Sequence, residues 1–470
     1  MNTLTTTIFA EESDRLSSTL AALIHPQADW PQRLQTRMQA SVHAPQESLG
    51  HLEEGLTKEV KEFQRRALEA AAQAKADAEP PCCPRCERRL MRCSLEARHI
   101  ETKFGDITLS RLRGWCPACQ KWMFPADIRL GLEDTAGYSP SVQEAAALLV
   151  SKMPVADASA VLERLTGLRI PPSTLDREAR RQGKRAVRTR ATMDAATIPL
   201  SRERPPKRPV TLIIEADAWH IRERDDWGQS EKLRKQGLEP ERWHWAYAGT
   251  CFQLDQRRKS ASGRPVILSR GFVMTRGGRD AFATQLKAEA RRHGLDSAAD
   301  VLVLADGAAW IWNLADECFP HGRQRLDAYH AKEHLWAVAS ALHGAGTDKA
   351  RAWIQPYLNY LDKGQPVKLV KALDVALSTA EETAQREALR KERDYFNNHC
   401  HRMDYTTARK RKEPSGSGAI EATCRQYQCR FKRPGQFWST YGDEALFALE
   451  TFWRNGQWKR LFPHLGDSTA

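Results

Sequence analysis

Polar and apolar positions follow a different rhythm in successive parts of this chain, and each rhythm predicts its own kind of element. Residues 1 to 79 read as polar helix, in which EVKEFQRRALEAAAQAKADAEP carries strong helix formers until Pro80-Pro81 stops it. The stretches RHIETKF and DITLSRLRGW then alternate like the two arms of a β-hairpin around Gly105-Asp106. Helical spacing returns in SPSVQEAAALLVSKMPVADASAVLERLTGLRIPPSTLDREARRQGKRAVR. Ser139-Pro140 opens a first helix, Val155 begins a second that lasts to Gly167, and Pro171-Pro172-Ser173 caps a third, basic along its length. Short helices parted by tight turns, the last one basic, predict helix-turn-helix DNA binding; three-helix units also serve as plain packing modules. The Pro- and Arg-rich TIPLSRERPPKRP reads as a linker.

After the linker the rhythm is that of strands. PVTLIIEADAW is a buried strand ending in acids, and WAYAGTCFQLD and PVILSRGFVMT are the next two. GRDAFATQLKAEARRHG is an amphipathic helix, and DVLVLADGAAWIWNLADECF is a fourth strand that ends on Asp306-Gly307 and runs directly into a helix. Three strands, helix, strand and helix predict a mixed α/β sheet. From about Leu326 to Lys412 the pattern is helical throughout.

Composition narrows the function. The 470 residues suggest roughly three domains. No run approaches the roughly 18 apolar residues of a membrane helix, and the N-terminus lacks a signal-peptide pattern, so a cytoplasmic protein without a membrane partner is expected. A net charge of +13 and a pI near 9.3 point to a polyanionic partner. The basic residues gather at 176–190, 201–208, 255–260 and 408–412, which favours nucleic acid. Eleven cysteines, an odd count in a long chain, fit metal ligation better than a disulfide framework. Cys83 and Cys86 form one C-x2-C knuckle and Cys116 and Cys119 a second, joined by the hairpin, as a structural Zn²⁺ ribbon requires. Cys82 and Cys93 are left over.

The carboxylates raise the sharper question. Asp217 and Asp306 each end an apolar strand, where open α/β sheets bind ligands, and the two meet if the first strand lies beside the fourth. Glu421 stands just inside a helix that opens on Gly-Ser-Gly and is otherwise basic. A helix-end acid paired with Arg425 would explain it locally. Alternatively Glu421 completes a three-acid cluster, tolerable only around Mg²⁺ or Mn²⁺, while Arg425, Arg430, Lys432 and Arg433 contact phosphate. Glu215 rivals Asp217, because residues i and i+2 of a strand share a face, and strand-end acids also serve simply as turn formers. Trp310, Trp312, Trp438, Trp453 and Trp458 read as core, with Trp438 the candidate for stacking on a base. No G-x4-G-K-[ST] occurs, which argues against an ATP-driven enzyme.

The knuckles, the three helices, IIEADAW, VLADGAAWIW, LDAYHAKEHLW and GSGAIEATCRQYQCRFKRPGQFWS, taken in order from about residue 80 to 460, resemble bacterial insertion-sequence transposases of the ISKra group. These are DDE enzymes with an RNase H-like core. The resemblance implies that Asp217, Asp306 and Glu421 are the catalytic triad and ligands of Mg²⁺ or Mn²⁺. Asp327-Ala-Tyr-His330 is similar to an element that follows the second aspartate in Mutator-like transposases, which implies a place for His330 near the scissile phosphate; read from the residues, a histidine opening a helix is a packed or capping one. The implied fold is multi-domain α/β: N-terminal helical region 1–79, zinc ribbon 80–130, helix-turn-helix 138–195, basic linker 196–209, catalytic core 210–327, helical insertion 328–412 and returning core helices 413–462. Arg177, Arg180, Arg181, Lys184 and Arg185 are the candidate DNA contacts of the third basic helix. The implied partners are element ends and target DNA in the nucleoid, with a homo-oligomer of at least two copies. A domesticated DNA-binding regulator, or an RNase H-like nuclease without strand transfer, is the alternative.

Overall fold

The computed structural model describes residues 30–465 apart from 43, 45, 134–136, 197–209, 225–227, 240–241 and 440–441. Apart from residue 196, the expected linker at 196–209 and the basic patch at 201–208 therefore lie outside the described residues. The chain forms two compact units, Met1–Ala179 with Phe462–Ala470, and Arg180–Leu461.

In the first unit, α1 (Trp30–Val42) and α2 (Leu49–Asp77) precede a three-stranded antiparallel sheet of β1 (Met91–Thr102), β2 (Gly105–Cys116) and β3 (Lys121–Met123). Buried alanines explain how a polar helix docks: Ala72 of α2 packs with Ile100, Ile107, Leu109 and Leu132. Thr102 pairs with Gly105, so the hairpin turns at Lys103-Phe104, two residues before the expected Gly105-Asp106. Gly105 instead opens β2 at φ 120°, a conformation that favours glycine. After the short α3 (Pro125–Arg129) come α4 (Pro140–Lys152), α5 (Val155–Thr166) and α6 (Pro172–Ala195), each starting where the capping residues placed it. The Ser139 Oγ accepts from the Val142 N–H at 3.4 Å, and Gly167 closes α5 at φ 71°.

The second unit contains β4 (Thr211–Glu223), α7 (Ser230–Lys235), β5 (Arg242–Gln253), β6 (Arg257–Lys259), β7 (Pro265–Ile267), β8 (Gly271–Thr275), α8 (Arg279–Arg292), β9 (Asp300–Ala305), α9 (Ala309–Cys318) and β10 (Arg323–Leu326). Its five-stranded sheet runs β10-β9-β4-β5-β8. The β4, β5 and β8 strands form an antiparallel meander, while β9 lies parallel to β4 and β10 parallel to β9. Two expectations need correction. PVILSRGFVMT is not one strand: Pro265–Ile267 pairs with Arg257–Lys259, and only Gly271–Thr275 joins the main sheet. The β10 strand was not anticipated, because RQRL carries two arginines. It tolerates a buried Arg325 because Nη2 donates to the Glu413 carboxylate at 2.6 Å and Nη1 to the Pro414 carbonyl at 3.0 Å.

The stretch expected to be helical is so: α10 (Ala328–His343), α11 (Asp348–Asp362), α12 (Pro366–Thr379), α13 (Thr383–Asn398) and α14 (Tyr405–Arg411). It is no separate body. Leu335, Val338, Leu369 and Phe396 share one core with Ile214, Phe282 and Val303 of the sheet layer. The chain then returns as α15 (Gly418–Phe431), α16 (Gly442–Arg454) and α17 (Trp458–Leu461). Trp312, Trp438 and Trp458 are buried, as core aromatics should be, whereas Trp453 is 44% exposed.

Candidate active site

The first site element is the pair of knuckles. Sulfur separations are 3.8 Å for Cys83–Cys119, 3.5 Å for Cys86–Cys116 and 3.6 Å for Cys86–Cys119. A tetrahedral ion with bonds of ~2.3 Å sets its sulfurs about 3.8 Å apart, so the four thiols are arranged to share one ion and are too distant to be disulfides. Burial resists ionisation of Cys83, but the Arg85 and Cys86 N–H groups overcome it and bring the thiol down to about 7.

The second element lies along β4. Asp217 does not end that strand, as expected; β4 continues to Glu223. What ends near Asp217 is the pairing with β9, whose last pair is Glu215–Leu304. The parallel neighbour stops at Ala305, and Asp306 begins the turn into α9 with its Oδ1 accepting the Ala308 N–H at 2.9 Å. The expected neighbour relation of β4 and β9 therefore holds, and Asp217 opens into a cavity of about 530 Å³. Glu421, His330, Tyr329, Glu333 and Arg257 line the same cavity. Cys424, one helical turn beyond Glu421, donates its thiol to Asp217 Oδ2 at 3.4 Å. Burial raises the Asp217 pKa and the nearby Asp306 charge adds to the rise, while the Ala218 N–H and the Cys424 thiol oppose it.

Two buried acids fix α15 under Glu421. Glu215, the rival for the site, is 1% exposed and accepts the Ile420 N–H at 2.8 Å. Asp327 caps α10 through Oδ1, which accepts from the N–H groups of Tyr329 and His330, while Oδ2 accepts both the N–H and the hydroxyl of Ser417. Asp327, His330 and Glu421 offer ligand atoms within 4.8 Å of one another, the compact acid–histidine group among the described residues. Four accepted hydrogen bonds occupy the lone-pair positions of the Asp327 carboxylate, and through them Asp327 joins the His330 helix to the Glu421 helix. It was readable in sequence as a helix-capping Asp, and Arg257 lay in a basic patch; neither was given a role in the site.

Of the expected DNA contacts, Arg177, Lys184, Arg185, Arg425, Lys432 and Arg433 are exposed and Arg181 is half-buried. Arg433 also donates to the Cys429 carbonyl at 3.0 Å. Arg430 is a correction: it is 6% exposed, with its guanidinium 5.1 Å from the Trp438 ring centre, packed inside where phosphate cannot reach. Arg180 is half-buried and donates to the Ser439 hydroxyl at 2.6 Å.

Two consequences are measurable. Burial, with the Asp327 charge behind it, pushes the Glu215 carboxyl up to about 8 against the lowering effect of the Ile420 N–H. The folded state thus holds this proton more tightly than the unfolded chain, whose carboxyl titrates near 4.5. The resulting stability is fully present below that value and is lost as pH rises through about 8. Melting curves from pH 5 to 8.5 should fall more steeply for wild type than for Glu215→Gln; equal slopes would refute this. Gly307 sits at φ +110°, and an added Cβ would lie 2.7 Å from the Tyr395 hydroxyl, which donates to the Asp306 carbonyl at 2.9 Å. Gly307→Ala should cost about 2 kcal/mol in thermal or denaturant unfolding, and an unchanged midpoint would show that the turn relaxes freely.

No helix among the described residues is long and apolar enough to cross a membrane. A protein from Streptococcus gallolyticus described as a UPF0236 protein in the vanSb 3′ region is 24% identical over 423 residues, covering 85% of this chain and 84% of its own. The match to the uncharacterised protein family UPF0236 extends over residues 46–462, nearly the full described length and both metal-competent groups, and the chain belongs to that family.

Proposed function

We propose that the protein is a DDE transposase, of the kind the ISKra-group resemblance implies, that cuts DNA at element ends and joins them to a target. The observation that carries this reading is the convergence of Asp217, Glu421 and His330 on one cavity, with Asp306 close enough to Asp217 to raise its pKa. The strand order, a three-stranded antiparallel meander extended by two parallel strands on its first member, agrees with an RNase H-like core.

The donor set, carboxylate oxygens and one imidazole, suits Mg²⁺ or Mn²⁺. A divalent cation bound there would supply Lewis acidity to a phosphodiester and its attacking hydroxyl. The chain's own contribution is placement. Asp217 is held on a rigid strand by the Ala218 N–H at 2.7 Å, and Glu421 rides on a helix start tied down by Glu215 and Asp327. The His330 Nδ1 faces Glu333 at 3.1 Å, and Arg257 brings positive charge to the cavity wall for a phosphate. The Cys83, Cys86, Cys116 and Cys119 group would hold structural Zn²⁺, and the exposed Arg177, Lys184 and Arg185 would meet the DNA backbone as part of a helix-turn-helix.

The test is incubation of the protein with DNA carrying the flanking ends, in Mg²⁺ or Mn²⁺, with cleavage and joining scored separately. Cutting and joining are expected. Cutting without joining would make the protein a nuclease, and binding without cutting a DNA-binding regulator.

A further inference from the structure

The basic runs at 255–260 and 408–412 are far apart in the chain and meet in the fold. The Arg257 Nη1 donates to the Lys412 carbonyl at 3.3 Å, across 155 positions of sequence. Both runs reach the acid cavity. Arg257 lines it directly, and Pro414 and Ser415, just after Lys412, line it too.

The first run builds an insertion in the sheet meander. Strand β5 ends at Gln253 and β8 begins at Gly271, whereas a hairpin connection needs only about two to five residues. The intervening chain forms the β6–β7 hairpin, which pairs with no strand of the main sheet. Its root is fixed, because Ile267 packs on Ile213, Phe252 and Leu302. Its tip is fixed as well. The Gly263 N–H donates to the Ser260 carbonyl at 2.9 Å, the Ser260 N–H to the Arg264 carbonyl at 2.8 Å and the Arg264 N–H to the Ser260 Oγ at 3.1 Å, with Gly263 at the φ of 77° that closes such a turn. Arg257 and Lys259 share one face of β6, about 7 Å apart, so positive charge runs outward from the cavity along the hairpin.

These cations are left without acids to match them. No carboxylate residue occurs between Asp255 and Asp280 in the sequence. Arg258, Lys259, Arg264, Lys410 and Lys412 are exposed, and among the described residues no carboxylate lies within ion-pair distance of them. Elsewhere in the same unit arginines are matched: Arg190 and Arg292 face Glu289, and Arg323 and Arg325 face Glu413. A rigid projection that gathers unmatched like charges and starts at a cavity wall suits a row of phosphates.

We infer that the β6–β7 hairpin, with Lys410 and Lys412 at the end of α14 beside it, is a clamp for the phosphate backbone of duplex DNA next to the acid cavity. The inference rests on the proposed DNA-cutting role and adds the surface over which the flanking duplex runs. Contacts of this kind hold the backbone and do not read its sequence.

The experiment compares four full-length proteins: wild type, the double variant Lys259→Ala with Arg264→Ala, the charge-keeping double variant Lys259→Arg with Arg264→Lys, and Lys368→Ala with Lys371→Ala, which removes two exposed cations from α12 instead. The probe is a random-sequence blunt duplex, and affinity is measured from about 50 to 200 mM salt. The hairpin alanine variant should lower the slope of log affinity against log salt by about 2. The charge-keeping and α12 variants should keep the wild-type slope. Equal slopes in wild type and the hairpin alanine variant overturn the inference. So does an equal fall in the hairpin and α12 alanine variants, which assigns the effect to net charge, or a fall in the charge-keeping variant, which assigns it to hairpin structure. Because the readout is binding to random DNA, the slope change can occur in a protein that never cuts, and cutting can occur without it; the two readings therefore fail separately.

Discussion

Asp217→Asn is expected to cut DNA on the order of 10³-fold more slowly than wild type, a loss of about 4 kcal/mol of transition-state stabilisation, while unfolding at the same temperature or slightly above it. The two halves of this expectation have one cause. Burial and the Asp306 charge both oppose ionisation of Asp217, so the carboxylate is an uncomfortable group in the absence of a cation. Asparagine keeps the oxygen that accepts the Ala218 N–H and drops the charge. A charge kept at a cost to stability is what the proposed metal-binding role of Asp217 would require. Glu421→Gln should be equally silent and thermally neutral, since Glu421 is exposed. Asp327→Asn is the contrast: it places an amide against the Ser417 N–H and should lower stability as well as activity. Cleavage rates beside melting midpoints separate the cases. A normally cutting Asp217→Asn would remove the acid cavity from the mechanism.

Cys83→Ser, or treatment with a zinc chelator, is expected to unfold the β1–β2–β3 region while the Arg180–Leu461 unit stays folded. Around the knuckles the packed apolar group is small: Leu90 and Met123 with the cysteines themselves, and Ile128 beside them. A structural zinc contributes on the order of 10 kcal/mol to such a site, as much as the whole stability of many domains. Elemental analysis should find one zinc per chain. Limited proteolysis after chelation should release fragments from residues 82–123 before the Arg180–Leu461 unit is touched. A Cys83→Ser protein that melts like wild type, with no metal in either, would mean that the thiols are held by packing alone.

How far the site could be read from the chain depended on the range of the interactions that make it. Capping residues act within one helical turn, so Ser139, Gly167 and Pro172 marked their helix ends in sequence. The four cysteines were legible because two short knuckles and a hairpin bring them together. Glu215 and Asp217 could not be told apart, because strand periodicity gives both the same face. Contacts more than 200 residues away in the chain decide between them: the Ile420 N–H claims Glu215, and Asp217, past the end of the β9 pairing, is left facing the cavity.

Long-range pairing also explains the remaining misses. Arg430 belonged to a basic run, yet Trp438 and Phe431 give its guanidinium a flat apolar seat inside. Trp243 and Trp245 stand exposed on β5 because the neighbouring strands β8 and β9 stop short of them. Sequence by itself determined the local elements, the cysteine knuckles, the basic character and the acids worth watching, since each depends on residues a few positions apart. Tertiary structure alone decided which acid faces the cavity, which arginines remain available to a phosphate and where the exposed indoles stand, because burial depends on what the rest of the chain packs against it.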